Sequence, residues 1–385
     1  MMDELVPLIE SSPQRNCRES RPHYLVYQWG STKQLLSNLL RFFFWSSGYN
    51  KRLTSLSQLY SFYLFIVCWY QVCYEIARIA GCPEFKCKSN NVTVHSTKQL
   101  EYASFLSASI GSACSYTFML LCLNMIYKPR GNGISPYFGL KDMANSKAKI
   151  ILITMLISGG IFIGYIALFV YIYYTEGHKP RRAVYLISLS CEFIAEWVAI
   201  VSLYAFSCSS FAVGAFAADT LRRIKTLTGE TIDDVIKIHK ELRLIVKETT
   251  DAYSTWFLLH WLIFGITVII GFVVVALHKF GHDEVIKKTY FGTYFALHVF
   301  LFIYPCACAA YITSTCASIS AKINNTTSED WKEGHIFKDR RQLQMFVSYC
   351  SASPVCFKIG RITFTSTLAW FSFFFGGTGL LFHFF

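Results

Sequence analysis

Residues 184–217 read VYLISLSCEFIAEWVAIVSLYAFSCSSFAVGAFA, an apolar run whose only charges are the carboxylates of Glu192 and Glu196. A hydrocarbon core of ~30 Å divided by a helical rise of ~1.5 Å per residue is crossed by about 20 residues. This run is longer than that, so it predicts a helix that crosses the bilayer and continues beyond it. Other runs long enough to cross occur at 56–76, 102–127, 150–174, 253–277, 290–319 and 362–385, of which the one at 290–319 is likewise longer than a crossing requires. The expected fold is an all-α membrane protein with seven transmembrane helices. A shorter run at 39–45, LLRFFFW, has a charge inside it and reads as an interfacial helix leading into the first span.

Composition agrees with this reading. The 385 residues are 53% hydrophobic and 16% charged, and the mean hydropathy is +0.37, too apolar for one soluble core inside a polar shell. Lys and Arg exceed Asp and Glu by 36 to 24. The basic residues lie between apolar blocks rather than in one patch, which points to anionic lipid headgroups and away from nucleic acid. Most of the 14 cysteines fall inside apolar runs, where a thiol packs as a small hydrophobe. The polar first thirty residues are not expected to hold a cleavable signal peptide, so the first span must direct insertion.

Orientation follows from the loops. The segments on the N-terminal side (1–55, 128–149, 219–252 and 320–361) hold 26 Lys and Arg, and those on the opposite side hold 10. Basic residues stay cytosolic during insertion, so the N-terminus is expected in the cytosol and the C-terminus outside. The first outer loop then carries the sequon Asn91-Val92-Thr93. Beside it, Cys82 and Cys87 could close a small disulfide in an oxidising compartment. The sequons at Asn324 and Asn325 face the cytosol in this topology and are expected to be silent.

The chain divides into a cytosolic segment at 1–55, six spans with their loops at 56–319, a cytosolic segment at 320–361 and a last span at 362–385. Within 219–252, Ile232, Val235, Ile236, Ile238, Leu242, Leu244, Ile245 and Val246 recur near the helical period among Lys, Arg and Glu. Gly229 marks a turn, and Thr231 with Asp233 and Asp234 suits a helix N-terminus. A second amphipathic helix is expected at 342–347, QLQMFV, and together these predict a compact bundle below the membrane, either internal or between subunits.

Glu192 and Glu196 are the first candidates for function. Four residues apart, they share one helical face, about 12 Å and 18 Å below the outer end of their span. Carboxylates at such depth are expensive and are usually functional or paired. The plain alternative is hydrogen bonding to Ser and Tyr neighbours for helix packing. Trp197 adjoins them. His260 and His298 each stand in an apolar run and could join the carboxylates, although a membrane histidine is more often a packing hydrogen bond. These residues lack zinc-ligand spacing, and neither a metal nor a cofactor is expected. No phosphate loop, His-Glu-x-x-His pattern or nucleophile elbow occurs, so an enzyme is not expected.

The seven-helix arrangement, the long cytosolic extensions and the amphipathic helix before the last span resemble the insect gustatory and odorant receptor superfamily, which extends to gustatory-receptor-like proteins of other animals. The most specific similarity lies near the C-terminus. Gln342-Leu343-Gln344-Met345-Phe346 looks like the family's Leu-Gln run, and Pro354-Val355-Cys356-Phe357 with Gly360 matches its Pro-Val-x-Phe turn and downstream glycine. The family's Thr-Tyr, five apolar residues, Gln-Phe signature is degenerate here. Thr378 takes the Thr place, but Gly379 and Phe385 stand where Tyr and Gln would be.

The resemblance implies a chemosensory receptor at the plasma membrane that acts as a ligand-gated, nonselective cation channel. It implies a homo- or hetero-tetramer around a pore lined by the last helix, with a small-molecule pocket in the outer half of each subunit. On that basis Glu192, Glu196, Trp197, His260 and His298 are candidate ligand contacts. Thr378, Leu381, Phe382 and Phe385, which share a helical face, are candidate pore-lining residues; Gly376 and Gly379 equally suit a packing seam. Two rival readings are a G-protein-coupled receptor, which needs the N-terminus outside, and a nonconducting accessory receptor or transporter.

Overall fold

A computed structural model of the chain describes residues 51–80, 96–127, 145–175, 183–227, 231–277, 285–325, 331, 335–370 and 372. Among these residues the helices follow in the order α1 (Lys51–Ile79), α2 (Ser96–Tyr127), α3 (Asn145–Thr175), α4 (Ala183–Thr226), α5 (Ile232–Leu277), α6 (Val285–Asn324) and the short α7 (Arg340–Ala352). A two-stranded antiparallel hairpin, β1 (Lys358–Ile359) and β2 (Ile362–Thr363), comes after α7. Among the described residues, α1 to α6 are long and apolar enough to cross a membrane. The protein is an all-α, multi-pass membrane protein. "Outer" and "inner" below follow the basic-residue asymmetry of the loops.

The expected overrun of the middle helices is large. α4, α5 and α6 contain 44, 46 and 40 residues, or about 66, 69 and 60 Å of helix, twice the hydrocarbon thickness. Local chemistry sets their ends. Arg223 and Lys225 occupy the last turn of α4, and Asp233 and Asp234 the first turn of α5, each charge opposing the helix dipole. Thr231 Oγ1 donates to Asp234 Oδ2 at 2.6 Å. Gly229, the expected turn between them, lies outside the described residues.

Below the bilayer the extensions bury their apolar stripes against one another. Ile224, Val235, Leu242 and Phe346 are fully buried, with Val246, Ile319, Ile323 and Phe337 nearly so, and they are continuous with the membrane core. The predicted amphipathic helix is α7. Asp339, in extended backbone, caps it by accepting the N–H of Gln342 at 2.8 Å, and Gln342 Oε1 accepts the N–H of Lys338 at 3.2 Å.

The last span departs from the expected start at residue 362. Ile362 and Thr363 are instead strand residues paired with Ile359 and Lys358. Gly360, at φ +59°, takes the first turn position, where a two-residue hairpin needs a positive φ. The apolar Ile362 belongs to this hairpin, which hydropathy alone cannot tell from helix. The helix begins at Ser366, after Thr365 Oγ1 accepts the N–H of Leu368 at 3.4 Å. The hairpin is anchored by Phe357 and Phe364, both buried, whose rings meet Phe257 at 5.2 and 4.6 Å. Thr378, Leu381, Phe382, Phe385, Asn91, Cys82, Cys87 and the interfacial run at 39–45 lie outside the described residues.

Candidate functional site

In the outer half of the bundle, polar residues spaced one helical turn apart form three rows that face one another inside an apolar surround. α1 contributes Gln71, Glu75 and Arg78; α4 contributes Ser188, Glu192 and Glu196; α6 contributes Tyr290, Tyr294 and His298. Successive residues at i and i+3 or i+4 share a face, so each row needs only one helix to be oriented correctly.

The α1 and α4 rows join at their polar tips. Ser188 Oγ donates to Gln71 Oε1 at 3.0 Å, and Gln71 Nε2 donates to Glu75 Oε1 at 3.1 Å. The same Oε1 accepts from Arg78 Nη1 at 3.2 Å. The Arg78 guanidinium lies 4.0 Å from the centroid of the Tyr102 ring and 5.4 Å from that of Phe105, both on α2, where a cation gains from the ring quadrupole.

Tyr165 of α3 ties α4 to α6. Its hydroxyl donates to Glu192 Oε1 at 3.3 Å and lies 3.2 Å from the hydroxyl of Tyr290, with the two rings stacked at 5.2 Å. Deeper, Glu196 Oε1 lies 3.7 Å from His298 Nε2 with both side chains almost wholly buried. His298 Nδ1 faces the carbonyl of Tyr294 at 2.8 Å and must therefore carry a hydrogen. Glu75 Oε2, Glu196 Oε2 and His298 Nε2 have no hydrogen-bond partner among the described residues. The cluster holds three carboxylates against one guanidinium and one imidazole, an arrangement able to receive a hydrogen-bond donor.

The ring of Tyr294 links this cluster to a crevice between α2, α5 and α6. The crevice, lined by Ser104, Phe105, Gly271, Val275, Phe291 and Tyr294 among others, is narrow, with about 10 Å³ of free space, room for about one water molecule. The Tyr294 hydroxyl is 3.4 Å from Ser104 Oγ, and its ring lies 4.2 Å from that of His298.

The sequence candidates separate in space. Glu192, Glu196 and His298 come together. Trp197 turns toward α3, stacking on Phe162 at 5.6 Å and facing Gly159. His260 lies one ring away, with Phe264 between it and His298, and both its ring nitrogens are engaged elsewhere, by Ser115 and by the carbonyl of Leu301. The sequence reading passed over Glu75, Arg78, Tyr165, Tyr290 and Tyr294. The one-turn spacing of Gln71 with Glu75, and of Tyr290 with Tyr294 and His298, was the signal available for them. Among the described residues no three His, Cys, Asp or Glu side chains gather as a metal site.

This fold and site define a helical membrane protein with a buried polar cluster in one half of its bundle. Among solved structures the chain resembles the insect olfactory receptor OR5 from Machilis hrabei in complex with eugenol, with a TM-score of 0.53 at 12% identity over 91% of this chain and 97% of that one. A second structure of that receptor matches with a TM-score of 0.47 at 11% identity, over 91% of this chain and 96% of that one. No family model matches the sequence, and no curated protein matches it. The first of these likenesses establishes that the two chains share a fold.

Proposed function

We propose that the chain is a divergent member of the insect odorant and gustatory receptor superfamily, a chemosensory receptor of the gustatory type that acts as a ligand-gated, nonselective cation channel in the plasma membrane. The observation that carries this reading is the convergence of the three polar rows on α1, α4 and α6 in an otherwise apolar half-bundle. Buried ionisable groups at membrane depth cost several kcal/mol unless paired and are usually functional, and here three of their polar atoms have no partner among the described residues. The shared fold with a receptor solved in complex with eugenol supports the same reading.

In this proposal a small ligand binds beside Glu192, Glu196 and His298, with Tyr294 between that site and the crevice. Trp197 and His260 shape its surroundings through Phe162 and Phe264. Binding favours a state in which the last helices of four like or related subunits move apart, a population shift. Thr378, Leu381, Phe382 and Phe385 line the pore, Asn91 carries a glycan, and Cys82 and Cys87 pair in the outer loop.

The test is topological first and electrical second. A tag before residue 10 should stay unlabelled on intact cells, and Asn91→Gln should remove a glycan seen as a mobility shift. In cells expressing the chain, eugenol serves as the first of a panel of small phenols, alcohols and sugars. A compound that evokes current should lose at least tenfold in potency in Glu196→Gln. Labelling of the tag on intact cells overturns the channel assignment and favours the G-protein-coupled alternative.

A further inference from the structure

Pro305 stands inside α6. It has no N–H to return to the carbonyl of Leu301 one turn earlier, and its ring crowds that carbonyl. Leu301 is fully buried, in a region where a carbonyl without a donor is strongly disfavoured. The missing donor comes from another helix: His260 Nε2 of α5 lies 3.0 Å from the Leu301 oxygen.

That contact orders the groups behind it. A carbonyl only accepts, so Nε2 carries the hydrogen and Nδ1 presents a lone pair. Ser115 of α2, 2.9 Å from Nδ1, donates to it, and Ser115 Oγ in turn accepts from Trp256 Nε1 at 3.2 Å. Indole only donates, so the relay from Trp256 through Ser115 and His260 to Leu301 has one consistent direction. It pins the interrupted turn of α6 to α5 and α2.

The interrupted turn has distinct neighbours on its two sides. Outward along α6 are Tyr290, Tyr294 and His298 of the polar cluster. Inward is Thr313, whose Oγ1 accepts the N–H of Phe357 at 3.1 Å, at the base of the hairpin that leads into the last helix. Around Pro305, the buried Cys306, Cys308, Ala309 and Ala310 are small.

We propose that Pro305 is a hinge in α6 and that His260 is its clasp, holding the outer half of the helix in a fixed orientation to the inner half. The clasp stands on this geometry alone; its use in carrying an outer event to the last helix rests on the ligand-site reading above. His260 is then a positioning residue that acts through Leu301.

The test uses the full chain in lipid nanodiscs with His260→Phe, Pro305→Ala and the double variant. Pro305→Ala restores a helical N–H for Leu301 and should make His260 dispensable. His260→Phe alone is expected to lower the unfolding midpoint by roughly 3–6 °C, and by less than half as much in the Pro305→Ala background. Hydrogen exchange should quicken in both 290–298 and 357–364 in His260→Phe and return toward the parent rate in the double variant.

His260→Gln, which keeps a side-chain N–H, should recover at least half of the lost protection and serves where the Phe variant does not fold. Equal midpoint losses in the two backgrounds, quickening confined to the turns around residue 260, or no recovery with Gln overturns the clasp. None of these readouts depends on ligand or current, so failure of the receptor reading registers separately.

Discussion

Glu196 of α4 and His298 of α6 face each other with 3.7 Å between Oε1 and Nε2, in a part of the bundle where both side chains are almost wholly buried. Neither has another side-chain partner of opposite charge within 4.0 Å among the described residues. Removing one member of such a pair leaves the other uncompensated, whereas replacing both with apolar groups removes the need for compensation. Glu196→Leu or His298→Phe alone is expected to destabilise the chain by about 1–3 kcal/mol, the cost of leaving a buried polar group unsatisfied. Glu196→Leu with His298→Phe should lose much less than the sum of the single changes. A double-mutant cycle of thermal unfolding in nanodiscs checks this, and additive losses would remove the pairing.

Gly214 of α4 owes its place to a close approach. A Cβ built there meets the Tyr311 ring at 2.5 Å, and Lys147 lies 5.1 Å from the centroid of that ring, on α3. Gly214→Ala is expected to cost about 1–3 kcal/mol through overpacking. Gly160, where a Cβ meets nothing within 4 Å, is the control, and Gly160→Ala should stay within about 0.5 kcal/mol of the parent. Unfolding midpoints that fail to separate the two variants would refute the packing argument.

The hairpin before the last helix should be sensitive at Gly360 for a different reason. Space is open around it, but its φ of +59° disfavours a Cβ. Gly360→Val should destabilise the hairpin by about 1–2 kcal/mol, and Gly360→Asn by less, because Asn visits this region more readily. Hydrogen exchange of residues 357–364 reports the local effect; equal exchange in both variants would count against it.

The inner bundle should weaken in acid through His239. This residue lies in the inner extension of α5, buried against Phe346 and Tyr349, with Nε2 3.7 Å from Cys350 Sγ. Burial, aided by the nearby Arg243 charge, lowers its pKa from the ordinary 6.5. A histidine with a depressed folded pKa binds fewer protons folded than unfolded, so its contribution is complete above pH 6.5 and fades as pH falls through the folded value. The unfolding midpoint should therefore drop between about pH 7 and pH 5, and His239→Gln should flatten that dependence. An unchanged slope in the variant would assign the acid response elsewhere.

Much of the architecture is written in local pattern. The apolar runs, the overlong fourth and sixth of them and the α5 start at Thr231 and Asp233 were legible because length, hydropathy and end chemistry belong to each helix alone. So was the shared face of Glu192 and Glu196, which follows from a spacing of four residues. The start of the last helix was not, because Ile362 is equally apolar in a span and in a strand, and only its pairing with Ile359 decides between them.

Partners are a different kind of information. His260 and His298 look alike in sequence, each a single imidazole in an apolar run. The fold sets one against the carboxylate of Glu196 and the other against the carbonyl that Pro305 leaves without a donor. The sequence by itself determined which residues share a helix face, since that depends on 3.6 residues per turn. Which faces meet was decided only by the packing of helices far apart in the chain, because a buried polar atom's state depends on the group brought within about 3 Å of it from another helix.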